Sequence, residues 1–236
     1  HVTGSSLLTV SGNHASRVFN IASGSNVAIR GLAIRDGQSG SDGGGLYSEG
    51  SLTISSCAIS GNSAVASYGG GVCSTYGTLT ISNSTIAGNW ASAGGGVECD
   101  GGTVTISSST ISGNTGEYAG GVDCIYGTFT ITDSVISGNS ATWGGGGVEN
   151  YSSTLTITSS TIAGNSSIMA GGVYNYTATL NITNSTISGN TATNQGGGVY
   201  TFGSSPVTIR NSTIASNTGG GGLYISSGTP TLISSI

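Results

Sequence analysis

Apolar and polar residues alternate in short bursts along this chain, and the bursts recur at a fixed interval. In Thr78-Leu79-Thr80-Ile81 the aliphatic side chains fall on one face and the threonines on the other; Ser84-Thr85-Ile86-Ala87 repeats the alternation a few residues later. A period of two is the signature of a half-buried strand, not of a helix. Between the bursts stand Gly-Gly-Gly and Gly-Asn, which supply positive φ and tight corners. Each unit therefore predicts three short strands and three bends.

Three marks share one period. The aliphatic after the glycine run falls at Leu46, Val72, Val97, Val122, Val148, Val173, Val199 and Leu223, at intervals of 24 to 26 residues. The first inward residue of the second burst falls at Leu52, Leu79, Val104, Phe129, Leu155, Leu180 and Val207. An asparagine closes the third burst at Asn62, Asn89, Asn114, Asn139, Asn165, Asn190 and Asn217. A unit of about 25 residues cannot bury its aliphatic face alone, whereas stacked units place Val over Val and Ile over Ile. The prediction is an all-β, right-handed parallel β-helix with three strands per coil, the hand following from the preference of parallel crossovers. Residues 1–42 read as degenerate N-terminal coils and 43–236 as regular repeats, one continuous solenoid roughly 40 to 50 Å long. The asparagines predict a structural ladder, each side-chain amide bonding to its copy in the next coil.

Composition narrows the function. Of 236 residues 44 are glycine and only 6% are charged; the four basic residues are arginines, and the net charge is −5. Such a chain offers nucleic acid no basic footprint, and no apolar run approaches a membrane span. The four cysteines are compatible with an oxidising compartment. His1 and His14 have no further histidine with which to build a metal site.

The Gly70-Gly71-Val72 and Ile86-Ala87-Gly88-Asn89 pattern, repeated as Gly146-Gly147-Val148 and Ile162-Ala163-Gly164-Asn165, resembles the GGA(I/L/V) and FXXN repeats of chlamydial polymorphic outer-membrane proteins. It is more similar still to large secreted bacterial repeat proteins with pectin-lyase-like β-helices. The resemblance implies a secreted, extracellular or cell-surface element used for adhesion or matrix building. It departs from the chlamydial pattern in carrying Ile for Phe.

The outward position after the Val reads Tyr47, Cys73, Glu98, Asp123, Glu149, Tyr174, Tyr200, Tyr224. Three carboxylates stacked about 5 Å apart repel one another, so Glu98, Asp123 and Glu149 either hold a cation such as Ca²⁺ or sit solvated. They resemble the calcium and catalytic clusters of pectate lyases and polygalacturonases. A lyase also needs a base, and no Lys or Arg lies between Arg35 and Arg210. The chain is accordingly read as not an enzyme and as needing no cofactor beyond such an ion, with a polysaccharide lyase or a two-carboxylate glycosidase as the alternative. Cys99 and Cys124 stack on adjacent coils, within the Cα separation a disulfide spans, and are expected to pair. Outward Thr-X-Thr pairs at Thr78/Thr80, Thr103/Thr105, Thr128/Thr130 and Thr154/Thr156 resemble the arrays of ice-binding β-solenoids, a second alternative. The bends carry Tyr68, Trp90, Tyr118 and Trp143, expected to meet a glycan or cell-surface ligand, to pack on a neighbouring rod or to fold over the coil. The closing Thr229-Pro230-Thr231-Leu232-Ile233-Ser234-Ser235-Ile236 is an apolar strand without a polar cap, which predicts head-to-tail self-association into filaments or a fragment of a longer chain.

Overall fold

A computed structural model describes residues 7–235, so His1 and Ile236 lie outside the described residues. The chain winds through a parallel solenoid of four sheets. Three have nine strands each: sheet A from Leu8–Ser11 to Thr213–Ala215, sheet B from Phe19–Ile21 to Leu223–Ile225, and sheet C from Asn26–Arg30 to Thr231–Ile233. Sheet D, with seven strands from Gln38–Ser39 to Thr191–Ala192, is the element that the pattern of hydrophobic positions does not predict. It corrects three strands per coil to four. Its strands are mostly two residues long, too short to show alternation, and coil-to-coil hydrogen bonds such as Trp90 N–H to Asn62 O and Thr115 N–H to Asn89 O, both 2.9 Å, create them. Within each coil the chain passes from B to C to A to D.

Register is exact over most of the length. Val72, Val97, Val122, Val148, Val173 and Val199 align in sheet B, and Ile81, Ile106, Ile131, Ile157, Ile182 and Ile209 in sheet C. These columns, with the Ile86 column of sheet A, form the single core, most of whose members are fully buried. Each such aliphatic contributes about 1.5–3 kcal/mol, and a one-residue slip would turn a whole column outward. Pairing crosses residue 42 without a break: Phe19 aligns with Leu46 and Val27 with Leu52.

Corners depend on left-handed backbone. The C-to-A corner uses Asn83, Ser108, Asp133, Ser159 and Asn184 at φ of 47° to 51°, residue types whose short polar side chains tolerate it. The last glycine before each sheet B strand has a different reason. A Cβ on Gly96 would lie 2.7 Å from Gly121 O and 3.0 Å from the Asn114 side-chain nitrogen, so the coil closes only where no side chain intervenes.

Candidate functional site: an acidic groove on sheet B

The asparagines stand at the A-to-D corner, and all are buried except Asn217, which is half-buried. Asn62, Asn89, Asn114, Asn139, Asn165 and Asn190 each donate from Nδ2 to Oδ1 of the asparagine in the next coil at 2.9–3.0 Å, ending on Asn217. The same Oδ1 also accepts the preceding asparagine's backbone N–H, and Nδ2 donates a second bond to an isoleucine carbonyl, as from Asn114 to Ile86 at 3.0 Å. All this capacity is spent inside the solenoid. A parallel ladder of serines runs at the C-to-A corner, where Ser84 N–H donates to Ser109 Oγ and Ser109 N–H to Ser134 Oγ.

Sheet B presents two outward columns. One is Tyr47, Cys73, Glu98, Asp123, Glu149, Tyr174, Tyr200 and Tyr224; the other is Thr75, Asp100, Ile125, Tyr151, Tyr176 and Phe202. The acids thus occupy the middle of the face, with tyrosines on both sides along the axis. Tyr151, Tyr176 and Phe202 stack with centroids 5.3 and 5.0 Å apart, and Tyr174, Tyr200 and Tyr224 do so at 5.2 Å. Tyr126, at the B-to-C corner, meets Tyr151 edge-on at 5.9 Å and an 87° angle.

The carboxylates are not solvated. Glu98 and Asp123 retain 2% exposure and Glu149 8%, although their side chains point away from the core. The sheet D bends arch over them: Tyr118 N–H is tied to Ser92 O at 3.0 Å and Trp143 N–H to Glu117 O at 2.7 Å. Cys73, expected outward, is covered in the same way and is buried. A Cβ on Gly144 would fall 1.8 Å from Glu149 Oε2, so that glycine is what lets the carboxyl lie beneath its bend.

Burial governs the electrostatics. Glu98 is pushed well above the ordinary carboxylate range by desolvation, then by the Asp123 and Glu149 charges. Glu149 is raised by desolvation and then by the Asp123 charge, against a hydrogen bond from the Gly145 backbone. Desolvation lifts Asp123 to about 7, opposed by hydrogen bonds from the Glu98 carboxyl and the Cys124 backbone. Glu98 Oε2, Asp100 Oδ1, Asp123 Oδ1 and Glu149 Oε2 are buried without a hydrogen-bond partner. Among the described residues no three Asp, Glu, Cys or His side chains converge as a metal-ion cage; the acids form a row.

Cys99 and Cys124 are register partners pointing into the core, and both are free buried thiols rather than the expected disulfide. Directly stacked parallel residues carry their Cα–Cβ bonds side by side, about 4.8 Å apart, wider than the usual Cβ separation of a disulfide of about 3.5–4.5 Å. Cys57 takes the inward serine position and is also free. In the same inward column as Cys99, Asn150 donates to Asn175 Oδ1 at 2.6 Å and Asn175 to Thr201 Oγ1 at 3.2 Å; this second ladder has a signal in the polar residues two places after Val148, Val173 and Val199.

Above the acids lies a cleft of about 590 Å³, walled by Tyr47, Tyr68, Tyr118 and Tyr126 and floored by Glu98, Asp100, Asp123 and Glu149. A second depression of about 270 Å³, between Trp143 and Met169, shares Tyr118, Glu149 and Tyr151 with it. Together they make one groove along the solenoid. Of the expected aromatic contacts, Tyr68, Tyr118 and Trp143 meet at this groove and are about half exposed. Trp90 lines neither depression; it begins a sheet D strand and is partly exposed. The threonines align on sheet C, where Thr78, Thr103, Thr128, Thr154 and Thr179 form one column and Thr53, Thr80, Thr105, Thr130 and Thr156 another.

The family model described as "Right handed beta helix region" matches the chain over residues 1–182 and again over 70–235. The chain belongs to that family. Neither the comparison with curated proteins nor that with solved structures produced a match. In this β-helix no helix is long and apolar enough to cross a membrane among the described residues.

Proposed function

We propose that this β-helix is an extracellular structural and adhesive element of a bacterial surface or matrix, and that it holds a polysaccharide chain in the groove on sheet B. The observation that carries this reading is the groove: partly exposed tyrosines stand on a rigid scaffold around a floor of acceptor oxygens without partners. Aromatic rings supply flat apolar contact at little cost in conformational freedom, carboxyl groups bond to sugar hydroxyls, and a site on stacked strands is held more precisely than one on loops. Glycan-array screening followed by calorimetry tests it. Tyr118→Ala with Tyr126→Ala is expected to weaken binding about 10-fold or more without lowering the melting temperature, and an unchanged affinity would remove the groove from the reading.

A second reading, glycoside hydrolysis, is favoured by the raised proton affinities of Glu98 and Glu149. These residues are two coils apart in one column, about 9.6 Å between Cα atoms, and inverting enzymes hold their two carboxyl groups about 6.5–9.5 Å apart. Release of reducing ends from a polysaccharide, lost in Glu98→Gln and in Glu149→Gln, is its measure. The aligned threonine columns support ice binding as a further alternative, measured as thermal hysteresis that disappears in Thr105→Leu with Thr130→Leu.

A further inference from the structure

We infer that the groove on sheet B is selective for a linear glycan whose units carry free amino groups, and that it disfavours uronates and sulfated chains. The inference rests on the proposed glycan reading and narrows its ligand.

The first support is the sign of the groove. No Lys, Arg or His lines either depression. The nearest guanidinium, Arg17, lies 5.0 Å over the Tyr47 ring and spends its N–H groups on the Gly43 and Asp42 carbonyls and on nearby serines. A carboxylated sugar would meet four carboxyl groups and no counter-charge.

The second is the state of those carboxyls. Each has an oxygen that is buried and without a partner, and the cleft opens over them. Leaving a buried acceptor unpaired is costly. An ammonium brings three donors and a positive charge, satisfying the orphaned oxygens and relieving repulsion along the column at once. Tyr68, Tyr118 and Tyr126 present aromatic surface above, where a cation gains further attraction.

The third is direction. Glu98, Asp123 and Glu149 follow the solenoid axis, one per coil. A chain laid along the groove therefore meets an acidic group about every 4.8 Å, an arrangement suited to a repeating ligand.

Proton release should accompany binding. Burial raises Glu98, Asp123 and Glu149 above the ordinary carboxylate range, Asp123 to about 7, so an arriving ammonium displaces protons below that value and affinity rises with pH while the amine stays charged. The other ionisable groups facing these acids are Cys73 and Tyr174 in their own column, and Asp100 and Tyr151 in the next. Tyr68, Tyr118 and Tyr126 face them from the bends and corner, and Asp42 and Tyr47 from the N-terminal end.

The test is calorimetry on the intact chain with hexamers of glucosamine, N-acetylglucosamine, glucose and galacturonate, at pH 5.0 and 6.0, where the glucosamine amines stay charged, and in two buffers of different ionisation enthalpy. Spermine serves as an amine without a sugar. Glucosamine hexamer is expected to bind at least 10-fold tighter than the neutral hexamers, to release protons, and to tighten at the higher pH. Glu98→Gln with Glu149→Gln should abolish the preference for glucosamine over the neutral chains, with an unchanged near-ultraviolet circular dichroism spectrum reporting that the tyrosine-lined groove is still folded. Equal or tighter binding of a neutral chain, without proton release, would overturn the inference and leave the glycan reading standing. Binding of spermine alone, or of nothing, would overturn both.

Discussion

At the scale of the residue, the acids on sheet B behave differently from surface carboxylates because their neighbours along the chain are not their neighbours in space. Folding brings Glu98, Asp123 and Glu149 into one column and closes bends over them. Their folded-state proton affinities exceed those of the unfolded chain, so the native state binds more protons between about pH 4, where free carboxyls titrate, and the folded value of about 7 for Asp123. Stability therefore falls as pH rises through that window. Each such group costs up to about 1.4 kcal/mol per pH unit. Thermal melts from pH 4 to 8 are expected to show a declining midpoint, and Glu98→Gln to flatten the decline. A midpoint that rises with pH would contradict the raised proton affinities of the buried acids. The position of these residues after each Val is readable in the sequence; their burial is not, because the covering bends vary in length and have no periodic mark.

At the scale of the element, the corners are held by ladders. Asn114 accepts two bonds from Asn89 and donates to Asn139 and to the Ile86 carbonyl. Asn114→Ala leaves those partners buried and unpaired, each costing about 1–3 kcal/mol, so urea denaturation is expected to show a loss of roughly 3–5 kcal/mol or outright misfolding. Thr103→Val, on the exposed side of sheet C, should change stability by less than about 0.5 kcal/mol. A comparable loss in both would mean that the ladder contributes no more than a surface residue. This ladder was legible because a single asparagine recurs at every corner. The short strands of sheet D were not, since a strand of two residues is defined by its partners rather than by its own alternation.

At the scale of the whole molecule, the solenoid is continuous from the degenerate first coils onward, and its edge strand Thr231–Ile233 exposes Leu232 and Ile233. We extend the functional proposal to head-to-tail stacking, in which this edge is covered by a further coil from a second copy. Cryo-electron microscopy of the purified protein is expected to show rods joined end to end, and Leu232→Lys with Ile233→Lys to leave separate rods, because charge on an edge strand opposes pairing. Separate rods in the unsubstituted protein at high concentration would count against it.

The repeat alone determines the fold class, the period, the core columns and the asparagine ladder, because each depends on residues that recur at one interval and stack on their own copies. Tertiary structure decided the fourth sheet, the free thiols of Cys99 and Cys124, the burial of the acids and the joining of Tyr68, Tyr118 and Trp143 into one groove. Those features depend on how irregular bends fold back over a regular face and on the direction in which stacked side chains point, and neither has a period to read.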